Sequence, residues 1–308
     1  MAIIPKRLQT EAAEVRDHAT ALLEGDENAG PEPIPFSQFV RDEFLPSVLE
    51  VEQPDEPAPA PHLERWADLI EQNPYTSIIA FRASLKSVLA KATFAWDLRQ
   101  FERGIFEGFY FSASVTLARE HLTKLKLYLQ PLAESWGWTD TTSGKALIRY
   151  ERPGALFTVR PDGVDSRVRG MRANRLVLDD LIDPQKAVSM ADVNRVLEAV
   201  RRRILPLLKS RQSQANAFGT PVIEGDVVDW LEENEQFVSE WLPIQDQHGN
   251  PTWPEKFDKD RIEQLRSLVG DNAFENEYML RQKSEIDSFL DPDLIASAVY
   301  YPDSGESS

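Results

Sequence analysis

The chain has 308 residues, 42% of them hydrophobic, a formal net charge of −17 at pH 7 and no cysteine. That length and apolar content suffice for one large domain or two small ones, and the lack of cysteine excludes disulfides, zinc–thiolate sites and a cysteine nucleophile. The net charge argues against a uniformly basic nucleic-acid coat while leaving room for a local basic track.

No apolar run approaches the roughly 18–20 residues that span a bilayer, and the N-terminus MAIIPKRLQTEAAEVRD lacks a signal peptide's hydrophobic core. A cytoplasmic protein with no membrane partner is expected. In chain order, residues 1–61 are polar and acidic and read as an N-terminal arm. Within them, PFSQFVRDEFLPSVLE offers an apolar stripe of Phe36, Phe39, Phe44 and Leu45 suited to a short amphipathic helix, and VEQPDEPAPAPHL reads as an extended proline-rich linker. From His62 onward, short apolar runs alternate with longer amphipathic segments, the pattern of an α/β domain with a mostly parallel central sheet flanked by helices.

The predicted strands are SIIAF, GFYFSAS, ALFTV, RLVLDD and ANAFGT. Between the second and third, TLAREHLTKLKLYLQ repeats Ala118, Leu122, Leu125 and Leu129 at helical spacing. His18, His62, His121 and His248 share no metal-ligand spacing, so each reads as a surface or capping residue. Trp66, Trp96, Trp230 and Trp241 read as core or inter-subdomain packing. The run RRRILPLLK, Arg201 to Lys209, suits a solvated helix face or a track along a DNA backbone. The tail YYPDSGESS reads as linker.

The first stretch that carries chemistry is Ala80-Phe81-Arg82-Ala83-Ser84-Leu85-Lys86-Ser87. A phosphate loop reads G-x-x-x-x-G-K-[ST], its backbone amides cradling phosphates, its lysine reaching the β and γ groups and its hydroxyl meeting magnesium. Here both glycines are replaced, while the strand before, the Lys-Ser pair and the helix after are in place; a plain strand–helix junction has the same elements. The second is NRLVLDDL, an apolar strand that closes in Asp179-Asp180. In nucleotide hydrolases such a strand presents its first acid to the magnesium shell and the next residue to the attacking water, although aspartate there equally suits a helix N-cap. The third, NAFGTPVIEGDVVDWL, puts Thr220 at a strand end, suited to contact with the water-activating acid or to an ordinary turn. The order of lysine loop, acidic strand end and threonine strand end is that of a P-loop ATPase with an additional strand between its two nucleotide motifs.

Together with HLERWADLIEQ, YFSASVTLAREHLTKLK, VRGMRANRLVLDDL and TWPEKFDKDRIEQLRSLVGDNAFENEYML, these pieces make the chain resemble the large terminase subunit of tailed phages over roughly two-thirds of its length. The resemblance implies a P-loop NTPase fold with additional-strand order and a small lid subdomain. Residues 62–225 would form the ATPase core, 226–290 its C-terminal part with the lid, and 291–308 a linker or tail. It implies a motor that hydrolyses ATP with Mg2+ to translocate double-stranded DNA into a prohead, as a homo-oligomeric ring on a portal protein, with a small terminase subunit as partner, in the host cytoplasm. Residues 82–87 (Arg82, Ala83, Ser84, Leu85, Lys86, Ser87) would bind nucleotide, Ser87 and Asp179 would hold the metal, and Asp180, Arg82 and Thr220 would be catalytic. Arg167, Arg169 and Arg172 form a second cationic group suited to a subunit-bridging finger, DNA contact or structural ion pairs. Large terminases usually continue into a nuclease domain, whereas this chain ends at Ser308, so nuclease activity is not expected of it. Leu85 and Asp180 depart from the small residue and the glutamate usual at their places, which leaves a weakly hydrolytic assembly or regulatory component as the alternative.

Overall fold

The fold was analysed in a computed structural model that describes residues 31–53, 59–142, 148–168, 170–183 and 189–282. Most of the expected arm, its linker residues 54–58, His18, Arg169 and the 291–308 tail lie outside the described residues. The first helix, α1, runs through an α-helical turn Phe36–Phe39, a π turn Val40–Phe44 and an α-helical run Leu45–Glu52. Then come α2 (Pro61–Gln72), β1 (Tyr75–Ala80), α3 (Lys86–Gln100), β2 (Gly104–Ser112), α4 (Val115–Ala133), β3 (Thr139–Asp140), β4 (Ile148–Arg152), β5 (Ala155–Gly163) and β6 (Arg175–Asp179). The chain continues through α5 (Met190–Ala199), β7 (Gln214–Gly219), α6 (Val227–Glu233), β8 (Val238–Leu242), α7 (Lys259–Val269) and α8 (Asp271–Glu277).

The strands form one eight-stranded sheet in the order β3-β4-β5-β2-β6-β7-β1-β8. All neighbours pair in parallel except β3 with β4 and β4 with β5. The five predicted strands are all present, and β7 stands between β1 and β6, as the additional-strand order requires. β8 lies in the segment assigned to the C-terminal part and lid, so a piece of that segment belongs to the central sheet.

Helices cover both faces, and alternate side chains of β2 and β6 feed two separate cores. On β2, Phe106 and Tyr110 enter the core under α1 to α4, whereas Phe109 and Phe111 enter the one under α5 and α6. Val177 of β6 takes the first side and Leu176 and Leu178 the second. At Gly108 a Cβ would lie 2.4 Å from the ring of Phe94, so only glycine lets α3 settle on β2.

The expected arm is a docked helix over its described part. Phe36, Phe39 and Phe44 are fully buried in the same cluster as Trp66 and Leu89. Phe36 stacks on Trp96 at 4.8 Å, and buried Arg99 meets Glu43 at 3.0 Å. An apolar stripe of three phenylalanines has to be covered, and Trp96 of α3, Tyr128 of α4 and Trp136 just beyond α4 cover it. His62, expected at the surface, is 4% exposed.

Polar side chains inside the sheet tie the three strands that matter most for the site. Arg175 at the start of β6 is 2% exposed. Its guanidinium grips Asp97 of α3 through two nitrogens, one at 2.8 Å, and donates to Asn216 Oδ1 on β7. Asn216 in turn donates to Thr76 Oγ1 on β1 at 3.0 Å. This chain of bonds crosses β6, β7 and β1 and anchors all three to α3.

Candidate active site

The residues singled out in the sequence meet at the carboxyl edge of β1, β7 and β6, where open α/β sheets bind ligands. Leaving β1, the chain turns through residues 81–85, with the Phe81 amide donating to the Leu242 carbonyl of β8 and the Ser84 amide to the Phe81 carbonyl. Leu85 then caps α3, its carbonyl accepting from the Val88 and Leu89 amides. Lys86 and Ser87 are therefore the first residues of a fifteen-residue helix, at the positive end of its dipole.

The loop keeps a left-handed backbone without glycine: φ is 69° at Ala83 and 70° at Leu85. A side chain in that region costs roughly 1–2 kcal/mol. Ala83 is exposed, so Ala83→Gly sacrifices no packing. It is expected to raise stability by about 0.5–1 kcal/mol once glycine's extra chain entropy is subtracted. Urea denaturation checks this, and a variant less stable than the parent would refute it. Leu85 packs on the core, so for Leu85→Gly relief of strain and lost burial oppose each other.

Asp179, at the end of β6, is 1% exposed, and both its oxygens are engaged. The Ser87 hydroxyl donates to Oδ1 at 3.2 Å, and the Tyr110 hydroxyl of β2 donates to Oδ2. Burial, reinforced by the Asp179 charge, pushes the Tyr110 phenol well up, which keeps it a donor. His121 of α4 stacks on Tyr110 at 5.2 Å, with its Nδ1 3.8 Å from Oδ2. Burial, with Lys91 adding to it, pulls His121 down to about 4, so its ring is neutral at pH 7. Beneath Ser87, the ammonium of Lys91, 3% exposed, donates to the Ser87 carbonyl at 2.5 Å. Burial draws Lys91 down to about 8 against the pull of Asp179.

Asp180 follows in a left-handed conformation, φ 43°, which aspartate tolerates better than most residues. This turn sends its carboxylate away from that of Asp179 into the cleft, 3.8 Å from Lys86 Nζ. Desolvation raises the Asp180 pKa, with Lys86 opposing and Asp179 adding to the rise. The side chain is still 48% exposed, so solvent moderates that desolvation. A backbone hydrogen bond from Thr220 reaches the same carboxylate, and the Thr220 hydroxyl donates to the Ala80 carbonyl at 3.3 Å. Thr220 thus links the end of β6 to the root of the loop on β1.

The cleft, about 420 Å3, is lined by Arg82, Lys86, Asp180, Thr220, Asn276 and Glu277 among others. Arg82 stands exposed at its mouth, bonded to Glu277 of α8 by its guanidinium at 2.8 Å and by its amide at 3.0 Å. Ser84 faces inward, fully buried.

The cationic group ahead of β6 is divided. Arg167 follows the turn after β5, at the carboxyl edge, whereas Arg172 precedes β6 at the amino edge, and both are at least partly exposed. Within the basic run, Arg201 lies over Trp230 at 4.7 Å, Arg202 pairs with Glu198 at 2.6 Å, and Arg203 donates to the Val164 carbonyl at 3.0 Å. Tyr110, His121, Lys91 and Glu277 were not singled out from the sequence as parts of this site. The contacts of Tyr110, His121 and Glu277 join separate elements that no local spacing marks, whereas Lys91 reaches Ser87 one turn earlier in α3. Among the described residues no group of three or more His, Asp or Glu is arranged as a metal cage, and no helix is long and apolar enough to cross a membrane.

No protein-family model and no curated protein matches the chain. Solved structures do. The Thermus phage P74-26 large terminase ATPase domain aligns with a TM-score of 0.53 and 16% identity, covering 76% of this chain and 97% of that one. The large terminase of bacteriophage HK97 aligns with a TM-score of 0.54 and 12% identity over 80% of this chain. The chain spans about half the length of the large terminases of HK97 and of a thermophilic bacteriophage that it matches, 55% and 52%. By overall superposition this chain has the fold of phage large-terminase ATPase domains.

Proposed function

We propose that the chain is a terminase-like packaging ATPase that binds MgATP, hydrolyses it and drives double-stranded viral DNA into a prohead. The observation that carries this reading is the meeting of Lys86, Ser87, Asp179, Asp180 and Thr220 at one edge of three neighbouring parallel strands, with the Ser87 hydroxyl already bonded to Asp179. Lys86, at the start of α3, neutralises the β and γ phosphates, and the amides of the loop complete the cradle. Ser87 Oγ and Asp179 Oδ1 are hard oxygen donors 3.2 Å apart, which fits a small divalent cation that keeps most of its waters. Mg2+ held there would neutralise charge on the β and γ oxygens.

Asp180 takes the proton of the attacking water, and the desolvation that raises its pKa makes its carboxylate a better proton acceptor. Arg82 at the mouth stabilises charge on the departing phosphate. Thr220, bonded both to Asp180 and to the loop's root, connects the hydrolytic acid to the phosphate loop. A portal protein, a small terminase subunit, DNA and further copies of the chain in a ring are the proposed partners, met in the host cytoplasm.

The test is phosphate release from ATP by the purified chain, with and without Mg2+, alone and with portal and DNA. Mg2+-dependent release that increases with portal supports the motor. The left-handed Leu85 and the short Asp180 favour a second reading, a nucleotide-binding but weakly hydrolytic assembly component. That reading prevails if calorimetry shows MgATP binding while no phosphate is released even on the portal.

Tyr110 positions Asp179, so its effect belongs to the metal and not to the phosphates. Removing an outer-shell partner of a metal ligand typically costs about 10–100-fold in metal affinity. Tyr110→Phe is expected to raise the Mg2+ concentration needed for half-maximal turnover by such a factor and to leave ADP binding in EDTA unchanged. An unchanged Mg2+ requirement would refute the role.

A further inference from the structure

His62, in the first turn of α2, lies outside the nucleotide motifs and lines no part of the cleft, yet it touches the loop. Its Nε2 is 2.8 Å from the Ser84 carbonyl oxygen. A carbonyl only accepts, so Nε2 carries the proton and donates it. Among the described residues the buried Nδ1 has no partner, and since a proton there would be an unmet buried donor, the neutral ring with that one tautomer is favoured. Burial, the largest influence, pulls the His62 pKa down in the same direction.

Two indoles fix the ring. Trp66 meets it edge-on at 4.7 Å and Trp253 at 4.9 Å. Both indole N–H groups are used elsewhere: Trp66 donates to Glu240 at 2.8 Å and Trp253 donates to the Pro59 carbonyl. The imidazole therefore sits in an aromatic slot, and its single N–H points at the loop.

The Ser84 carbonyl belongs to the peptide that enters left-handed Leu85. In a planar trans peptide the C=O and N–H point in opposite directions, so holding the Ser84 oxygen toward His62 turns the Leu85 amide to the other side. A glycine at position 85 would adopt this backbone without strain, whereas leucine has to be held in it. We infer that His62 is a positioning residue for the phosphate loop, an external hydrogen-bond donor that keeps the glycine-free turn in its phosphate-binding orientation. This rests on the nucleotide reading above and assigns a role to the HLERW and TWPEK segments, which supply the slot.

Calorimetric titration of the chain with ADP and Mg2+ tests it. His62→Phe keeps an aromatic ring but loses the donor, and should weaken ADP binding about fivefold, the ratio that a net hydrogen bond of about 1 kcal/mol supports. His62→Gln restores an N–H donor and should bring affinity back to within about twofold of the parent. Equal affinity of the Phe variant and the parent would overturn the inference while leaving the nucleotide reading intact. Failure of the parent to bind ADP would overturn both. A measurement on the parent needs no variant: the nitrogen-15 spectrum of the imidazole should show a protonated Nε2 and a bare Nδ1, and the opposite tautomer would overturn the inference.

Discussion

Lys86→Ala and Asp180→Asn are expected to fail at different steps of the same reaction. Lys86 is 6% exposed and sits 3.8 Å from Asp180 at the start of α3. Removing it takes away the cation proposed to meet the β and γ phosphates, so MgATP affinity should fall by about 2–3 kcal/mol, roughly 30–150-fold. Asp180→Asn keeps the shape at the cleft and loses the proposed proton acceptor. Affinity should then stay near that of the parent while the rate of phosphate release drops by about 10²–10⁴. Calorimetry and a single-turnover phosphate assay, run on both variants beside the parent, separate the two steps. If Lys86→Ala binds MgATP as tightly as the parent, the loop is only a strand meeting a helix. If Asp180→Asn retains more than about a tenth of the parent rate, another group activates water.

The second large effect is on folding. Asp97→Ala leaves the Arg175 guanidinium inside the protein with Asn216 as its remaining side-chain partner. Breaking a buried ion pair from one side costs about 3–5 kcal/mol, because the remaining charge stays desolvated. Urea denaturation should show a loss of that size. Thr76→Val removes only the far, neutral end of the same chain and should cost about 1–2 kcal/mol, an unmet amide hydrogen bond. A loss below about 1 kcal/mol for Asp97→Ala would mean that water reaches Arg175 and that the network does not hold the three strands in register. Because the strands carrying the lysine loop, Thr220 and Asp179 are the ones joined, the Asp97 variant should also bind nucleotide less well at temperatures where it remains folded.

Much of the α/β frame was legible in the chain because its signals are local. Strands buried on both faces read as short apolar runs, and α4 shows its leucines at helical spacing. Lys86-Ser87 and Asp179-Asp180 stood out because each lies where an apolar strand ends, which is where a parallel sheet presents side chains to a ligand. β3, β4 and β8 went unseen, being edge or near-edge strands that are short or partly polar and so lack a continuous apolar run. The N-terminal stretch read as an arm because polar and acidic residues dominate its composition, yet Phe36, Phe39 and Phe44 close over Trp96, Trp136 and Tyr128.

Residue order alone determined the α/β class, the loop lysine and the acid pair, since each is set by hydrogen bonding and hydrophobic periodicity within a few neighbouring positions. Only the tertiary structure decided which groups surround them. Tyr110 is brought to Asp179 by the pairing of β2 with β6, His62 to Ser84 by the packing of α2 under the loop, and Glu277 to Arg82 from 195 positions away. A hydrogen bond acts over about 3 Å whatever the separation along the chain, so partners that meet only after the sheet is assembled leave no periodic trace in the sequence.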